Sequence, residues 1–405
     1  MVKKLKVAII GNGGRAVSYG KAYATCQDVE VVALADTNPQ NTQTMAKMSN
    51  LSGFTAYRHW REVYEKHSDL DGVVIVTPNF LHREMAVPFI ERGIPVALEK
   101  PITTTMGDSE AILTAARKHR CRMLIGFVLR SAPFFLKVRE LIDSGVIGSV
   151  LTLQADELGS FGVSSIICRS PWRRYQATSG GSLMEKSSHD MDLLNWFSGS
   201  RPISVNSYGG RLLFTPNPNF PTFCVDCVHK DCKYHSTPEF SLAAGDAVLQ
   251  DFAQHRDAEQ VCIYNVDKDV ADNQSVSIEY GNGAVANFML SFNCGGPRSG
   301  RNLHVIGSKG RIWGNVEENE IGLFENQSGK TSEIKLGKIE CGHSGGDEGH
   351  AMELIKMMRD PDYVPAQDAY AGYLSNAVCI AADISRVERR RIAFRYGADG
   401  FIDFS

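Results

Sequence analysis

The chain has 405 residues, of which 43% are hydrophobic and 22% are charged, and its formal net charge is −3. This near balance gives no electrostatic support for binding to nucleic acid or to a membrane surface, and no apolar run has the length of a transmembrane helix. The length exceeds that of one ordinary hydrophobic core, so we expect two domains. The ten cysteines stand mostly in isolated apolar or helical contexts, and no secretion signal is evident. We therefore predict a cytoplasmic protein with reduced thiols.

A strand, a glycine turn, a helix and a second strand are predicted over residues 7–36. The apolar runs at residues 6–10 and 29–35 indicate two strands of a parallel sheet, which need a crossover helix between them. Gly11 allows the tight turn, and Gly13 lets backbone N–H groups approach a pyrophosphate. Asp36 ends the second strand, where a carboxylate accepts hydrogen bonds from both hydroxyls of an adenosine ribose.

This segment predicts a dinucleotide-binding site. A glycine turn also occurs without any ligand, but here it lies between two strands and a carboxylate follows about 25 residues later, as in dinucleotide-binding folds. No basic residue stands at positions 37–39, so the 2′-phosphate of NADP would meet only negative charge. The predicted cofactor is therefore NAD rather than NADP.

Further strand and helix patterns complete a predicted six-stranded, doubly wound domain at residues 1–128. Its remaining strands are expected at residues 54–56, 72–77, 94–98 and 123–127. Ligands of such sheets bind where the strands end, so residues after several strands should surround one crevice. The candidate cofactor-binding residues are Gly11, Asn12, Gly13, Gly14, Arg15, Asp36, Thr77, Pro78, Asn79, His82, Glu99 and Lys100.

Residues 129–405 are predicted to form an α+β domain with a largely antiparallel, open sheet. The glycine turns between its strands, such as the one at residues 281–283, are too short for helical crossovers. Strands are expected at residues 150–157, 204–213, 274–280, 283–293, 302–307 and 310–316, and helices at 134–144, 348–359 and 368–387.

A helix that opens after Gly180 and Gly181 carries the candidate chemistry. Glu185 and His189 are one turn apart on it, and Asp192 follows one turn later. Such a row can hold a histidine as a proton acceptor, oriented by a carboxylate on either side. A solvated helix face with an incidental acid–histidine pair is the alternative. The position after a double glycine, at the start of the second domain, favours a site.

Together these motifs resemble the glucose–fructose oxidoreductase, inositol dehydrogenase and rhizopine catabolism (Gfo/Idh/MocA) family over nearly the whole chain. The resemblance implies an NAD-dependent oxidation of a carbinol, with Lys100 beside the nicotinamide, His189 as the acid/base and Glu185 assisting. The matching motifs are Gly11–Arg15, Asp36, Thr77-Pro78-Asn79, Glu99-Lys100-Pro101, Trp172-Arg173 and the segment from Gly180 through His189 and Asp192.

The chemistry of these residue types suits that role. Oxidation of a secondary alcohol sends a hydride to the nicotinamide while the hydroxyl proton must leave, and an imidazole near neutral pKa can accept it. An ammonium near the oxygen stabilises the developing alkoxide. The chain departs from the family pattern at Glu185, where aspartate is usual, and at Lys186, where an apolar residue is more common. Either Lys100 or Lys186 could therefore contact the reacting oxygen.

Further substrate-contact candidates lie near the expected mouth of the crevice. Arginines there could bind hydroxyls or a carboxylate, and they could equally form surface ion pairs. Residues 342–348 form a glycine-rich segment just before a predicted helix. This segment either caps the N-terminus of the helix or contacts the substrate. The candidates are Arg130, Trp172, Arg173, Lys186, Asp192, His343 and Asp347.

A cysteine-rich stretch could hold a structural zinc ion. Cys224, Cys227 and Cys232, with His229 or His235 as a fourth donor, have spacings that can wrap a tetrahedral metal. A reduced insertion, or a disulfide formed during handling, would give the same pattern.

Three functions are consistent with these observations. The first is an NAD-dependent dehydrogenase acting on a ring hydroxyl of a sugar, cyclitol or glycoside. The second is an enzyme that oxidises a sugar transiently, cleaves a glycosidic bond and reduces the product again. The third is a cofactor-binding protein without turnover, which the presence of Lys100 and His189 argues against. The resemblance also implies a homodimer or homotetramer that uses one face of the second sheet.

Overall fold

A six-stranded parallel sheet forms the first half of the fold, in the order β3-β2-β1-β4-β5-β6. The computed structural model describes residues 4–235, 261–337 and 342–405. The order places β1 beside β4, so the strands run outward in two directions from the centre, and the predicted doubly wound sheet is confirmed. The strands are β1 (Leu5–Ile10), β2 (Val29–Ala35), β3 (Thr55–Tyr57), β4 (Gly72–Ile75), β5 (Val96–Leu98) and β6 (Met123–Ile125).

Helices connect these strands and cover both faces of the sheet, which is why the central strands are continuous apolar runs. Val73, Val74 and Ile75 are fully buried. The helices are α1 (Gly14–Ala24), α2 (Pro39–Ser49), α3 (Trp60–Lys66), α4 (His82–Glu91) and α5 (Met106–His119).

The second half is built on a ten-stranded sheet that is antiparallel except between two neighbouring strands, which confirms the largely antiparallel prediction. The strands are β7 (Val150–Leu158), β8 (Pro202–Gly210), β9 (Asn273–Tyr280), β10 (Val285–Ser291), β11 (Gly300–Gly307), β12 (Gly310–Asn315), β13 (Glu320–Glu325), β14 (Thr331–Lys335), β15 (Ile392–Tyr396) and β16 (Ile402–Phe404). Their order is β14-β13-β12-β11-β7-β10-β9-β8-β15-β16, and β7 and β10 form the parallel pair.

In the described part of this half, six α-helices accompany the sheet: α6 (Pro133–Asp143), α7 (Phe161–Arg169), α8 (Gln176–Ser179), α9 (Ser182–Ser198), α10 (Gly346–Arg359) and α11 (Ala369–Glu388). Helix α9 packs against β7 on one side and α11 on the other. Gly181 precedes it with a φ of 90°, a conformation that glycine adopts without strain. Most of α9 is therefore enclosed by the second sheet and by α11.

Helix α10 returns the chain to the first sheet. Its apolar residues Ala351, Leu354 and Ile355 are fully buried in one cluster with Val7 of β1 and Tyr19 of α1. The C-terminal part of the chain thus completes the core of the N-terminal sheet. The predicted division at residue 128 stays a prediction. Within the described ranges, no helix has both the length and the apolar character needed to cross a bilayer.

Candidate active site

The turn between β1 and α1 forms a cradle of main chain. Gly11 has a φ of 84°, and a Cβ atom on it would lie 2.7 Å from the backbone oxygen of Val76, so only glycine fits. Helix α1 begins at Gly14 without a side-chain cap and without an acidic residue in its first turn. The Ala16 N–H donates to the Gly13 backbone oxygen at 3.0 Å, and the N–H groups of Gly14 and Arg15 before it are available to an anion, as the predicted pyrophosphate site requires.

Asp36 lies beside this cradle and is held by main-chain donors. Its Oδ2 accepts a hydrogen bond from the Asn12 N–H at 2.7 Å, and its Oδ1 accepts one from the Asn38 N–H at 2.8 Å. The Asn41 side-chain amide also donates to Oδ1, at 3.4 Å. A carboxylate has about four acceptor positions, so at least one remains for a ribose hydroxyl. The hydroxyl of Thr77, next to Gly11, is buried without a hydrogen-bond partner among the described residues. These residues fit a dinucleotide.

Asn12 and His82 support the cradle from within. The Asn12 side chain donates to the Ile9 backbone oxygen at 3.3 Å and accepts from Thr42 at 2.9 Å. His82 is fully buried, with its ring nitrogens 2.9 Å from the Pro101 backbone oxygen and 3.0 Å from that of Thr77. It joins the loops that follow β4 and β5. Both residues have structural contacts rather than open groups for the cofactor.

Arg15 is clamped between two carboxylates from distant segments. Its guanidinium lies 2.6 Å from Glu99 and 2.6 Å from Asp347, and the Tyr19 hydroxyl donates to Glu99 at 3.1 Å. Burial opposes the charge on Asp347, but the hydrogen bond with His343 and the Arg15 cation lower its pKa below the ordinary range. Asp347 is therefore an anion that fixes the glycine turn to α10.

Lys100 points from the end of β5 towards α9. Its ammonium donates a hydrogen bond to the backbone oxygen of Glu185. Burial lowers the pKa of Lys100, whereas the carboxylates of Glu185 and Glu99 raise it, and the net direction is downward. The ammonium thus lies at the junction of the two halves of the molecule, and its expected place beside a nicotinamide stays a prediction.

His189 faces the same junction from α9. It is 4% exposed and its ring packs edge-on against Phe127 at 6.1 Å between centroids. The Nδ1 atom is buried and has no hydrogen-bond partner among the described residues. Burial, followed by the nearby cations of Lys100 and Arg301, lowers the pKa of His189 well below 6.5. The imidazole is therefore neutral near pH 7 and able to accept a proton.

The two carboxylates flanking His189 on α9 contact other side chains. Glu185 accepts from Arg173 Nε at 2.8 Å and from Asn79 Nδ2 at 2.7 Å. Asp192 forms a buried bidentate pair with Arg130, at 2.7 Å and 2.6 Å. We expected these two carboxylates to orient the imidazole of His189, but both bind other side chains instead. Buried carboxylates need a cation or several donors, and the arginines supply both.

Lys186 belongs to a buried charge network rather than to an open surface. Its ammonium lies 3.1 Å from Glu157 of β7, which also lies 2.9 Å from Arg301 of β11. Arg301 in turn donates to Asp190 at 2.8 Å.

Trp172, another predicted substrate contact, packs against Arg173. The Arg173 guanidinium lies 4.2 Å from the centroid of the Trp172 ring.

His343 reaches this site from the loop before α10. Its Nδ1 lies 2.9 Å from Asp347, and its ring centroid is 6.0 Å from that of His189. The sequence indicated His343 and Asp347 as candidates, but it did not indicate that His343 lies beside His189. His350 was not predicted. It is fully buried next to Tyr19, and its two ring nitrogens lack partners among the described residues. The available signal was its spacing, seven residues after His343 and three after Asp347.

The cysteine-rich stretch does not support a zinc ion. Within residues 4–235, 261–337 and 342–405, no three His, Cys, Asp or Glu side chains are arranged to hold a metal. Cys224, Cys227, Cys232 and His235 do line one cavity, but a guanidinium, that of Arg169, also lines it and lies 3.6 Å from the Cys224 sulfur. A buried cation at that distance opposes a second positive ion. His235 instead contacts the Lys230 ammonium at 3.2 Å.

Comparisons with known proteins show the family of this chain. Residues 5–127 match the oxidoreductase family with an NAD-binding Rossmann fold, and residues 135–313 match the GFO/IDH/MocA C-terminal domain. The putative oxidoreductase YteT of Bacillus subtilis is 28% identical over 389 residues, 87% of each chain. Inositol 2-dehydrogenase of Rhizobium meliloti is 27% identical over 209 residues, which span 52% of this chain and 59% of that enzyme.

Solved structures share the fold at lower identity. A levoglucosan dehydrogenase in complex with NADH and levoglucosan superposes with a TM-score of 0.76 and 19% identity, covering 96% of this chain and 99% of that one. The two family matches together cover most of the 405 residues. The chain therefore belongs to the Gfo/Idh/MocA family of NAD-binding oxidoreductases.

Proposed function

We propose that this protein is an NAD-dependent dehydrogenase that oxidises a ring hydroxyl of a sugar, cyclitol or glycoside. The observation that carries the proposal is the convergence of an ammonium and a neutral imidazole at the end of β5. The Lys100 ammonium donates to the backbone of α9 one turn before His189, and its charge contributes to the low pKa of His189. The inositol and levoglucosan dehydrogenases among the related proteins support a polyhydroxylated substrate.

The side chains divide the reaction between them. His189 accepts the hydroxyl proton, and its low pKa keeps the ring neutral for that step. Lys100 donates a hydrogen bond to the oxygen as negative charge develops there. Glu185, held by Arg173 and Asn79, keeps a negative charge near Lys100. Bound NAD supplies the acceptor for the hydride that leaves the carbinol carbon.

The cofactor preference follows from Asp36. Two main-chain N–H groups and the Asn41 side chain orient its carboxylate towards the cradle, where it can accept a hydrogen bond from the adenosine ribose. A 2′-phosphate would bring a second negative charge to the same place. We therefore propose that the cofactor is NAD rather than NADP.

We also propose that the outer face of the ten-stranded sheet joins copies of this chain. Val285, Met289 and Ile306 are 41–48% exposed there, on strands either side of β7. Their alternation with buried residues leaves an apolar surface on the side away from α9. Light scattering that gives the mass of a single chain would contradict this part of the proposal.

The test is a panel of sugars, inositols and glycosides incubated with NAD. The dehydrogenase predicts accumulation of NADH, measured by absorbance, together with a product two mass units lighter. His189→Ala serves as the inactive control. Cleaved glycoside without accumulated NADH would favour the redox-assisted cleavage instead. A protein that binds NAD but turns over no compound of the panel, and whose cellular function is unchanged by His189→Ala, would instead be a cofactor-binding protein.

A further inference from the structure

The loop before α10 presents a second imidazole to the site, and the chemistry of alcohol oxidation leaves it without a role. One base, His189, is sufficient to accept the hydroxyl proton. His343 nevertheless lies with its ring centroid 6.0 Å from that of His189, tilted by 49°. At such a separation one water molecule can hydrogen-bond to both rings.

The two imidazoles differ in their access to solvent. His189 is 4% exposed, whereas the side chain of His343 is 41% exposed. Each oxidation leaves a proton on His189, and the base must lose it before the next turnover. Since the buried Nδ1 atom has no hydrogen-bond partner among the described residues, a proton on it needs a route to water.

The backbone conformation and packing of its loop fix the position of His343. Its own φ is 47° and that of Ser344 is 53°, two successive non-glycine residues in the left-handed region. Gly346 packs so closely that a Cβ atom on it would lie 2.1 Å from the Val128 backbone oxygen. The loop is thereby fixed against the segment that follows β6.

The surroundings of His343 allow it to hold a proton only briefly. Burial and the Arg15 cation lower its pKa, the carboxylates of Asp347 and Glu99 raise it, and the net direction is downward. The Nδ1 atom lies 2.9 Å from the Asp347 carboxylate, which Arg15 also contacts from α1. Glu99 stands on the other side of Arg15. The Nδ1 hydrogen bond to Asp347 leaves Nε2 as the atom that can exchange a proton with its surroundings.

We propose that His343, positioned by Asp347, is a proton relay that connects the buried base His189 with solvent. The inference rests on the proposed dehydrogenase function. In that reaction the carbinol C–H bond breaks and its hydride passes to the dinucleotide, while the O–H bond breaks and its proton passes to His189. The proton then moves from His189 to His343, directly or through one water, and from His343 to water. Both imidazoles end neutral, and the net products are a ketone, reduced cofactor and one solvent proton.

The decisive measurement is exchange of the His189 ring proton with water, followed by NMR in protein labelled with ¹⁵N-histidine. The resonance is assigned by its loss in His189→Ala. We expect His343→Gln to slow this exchange about tenfold or more, because the route to solvent is removed. His119→Gln, on the remote last turn of α5, is the matched control and should leave the exchange unchanged. Unchanged exchange in His343→Gln would overturn the relay.

Steady-state turnover provides the second readout. His343→Ala should turn over more slowly in dilute buffer and recover as imidazole is added, since a small base replaces the missing side chain. A loss that added imidazole does not restore, in a folded variant, would show a structural role and also contradict the relay. Ring-proton exchange needs no turnover, so it separates the two failures. Absence of NADH from every substrate would refute the dehydrogenase, whereas unchanged exchange refutes the relay.

Discussion

The glycine turn and helix α9 meet at the same crevice but are built in opposite ways. In the turn, one contiguous stretch supplies both the cradle and its carboxylate, Asp36, whose hydrogen bonds come from residues nearby in the chain. In α9, the charged side chains are paired with residues from distant segments, and His189 alone among its titratable residues has no partner within the described residues. The paired residues are Glu185, Lys186, Asp190 and Asp192.

This difference distinguishes residues that bind the cofactor or stabilise the fold from the residue that takes part in the reaction. A buried polar atom without a partner destabilises a fold by about 1–3 kcal/mol, so an unpaired imidazole in a helix whose other charges are paired points to use in chemistry. Changes in the glycine turn should therefore alter cofactor binding, changes at His189 should alter turnover, and changes at the paired charges should alter stability.

The largest expected effect is that of His189→Ala. Loss of the proton acceptor should lower kcat by about 10²–10⁴-fold, while the dissociation constant of NAD changes little. Turnover assays and titration calorimetry measure the two quantities on the same preparation, with His119→Gln as the control. An equal loss of NAD binding would show that α9 is part of the cofactor cradle and contradict its assignment to turnover.

Arg130→Ala should act on stability. It leaves Asp192 buried without its cation, which costs about 3–5 kcal/mol of unfolding free energy. Urea denaturation measures the change. Lys335→Ala is the matched control, because it removes an exposed pair with Glu320 and should cost less than about 1 kcal/mol. If the two variants are equally stable, the paired charges of α9 do not fix the helix.

Asp36→Ala should weaken NAD by about tenfold to a hundredfold, the value of one or two hydrogen bonds to a charged group. NADP should be affected less, because its 2′-phosphate is repelled by the carboxylate in the unmutated protein. Fluorescence titration with both cofactors gives the ratio. Equal affinities of the unmutated protein for the two cofactors would refute the assignment of Asp36.

The smallest effect is on the pH profile. A protonated imidazole cannot accept the hydroxyl proton, so kcat/KM falls as the pH drops through the pKa of His189. Burial and the cations of Lys100 and Arg301 lower that pKa, so activity should persist well below pH 6.5. Rates measured between pH 4.5 and 9 locate the acidic limb. A limb at or above 6.5 would mean that His189 is more exposed, or less close to these cations, than described.

The first sheet could be predicted almost completely from the sequence, and the second only in part. The strands of the first sheet are apolar runs that end in local turns, so their positions in the chain follow from short-range patterns. In the second sheet β7 pairs with β10 and β11, more than a hundred residues away, and its edge strands β13 to β16 were not predicted. Such pairings depend on long-range packing that periodicity does not encode.

The site shows the same division. The spacing of Glu185 and His189 on one helix face was predictable, because it follows from helix geometry. The choice of Arg173 for Glu185 and Arg130 for Asp192 was not, since each arginine comes from another element. The approach of His343 to His189 likewise joins residues from loops and helices far apart in the chain.

The return of α10 to the first sheet has a consequence for synthesis on the ribosome. The cluster that contains Val7 and Tyr19 is complete only when Leu354 and Ile355 have emerged, roughly 230 residues after β6. At about 5–20 residues per second, the nascent N-terminal half would wait roughly 10 to 45 s with part of its surface uncovered. A fragment truncated after β6 would keep that surface exposed permanently, which makes it a poor substitute for the full chain in cofactor-binding studies.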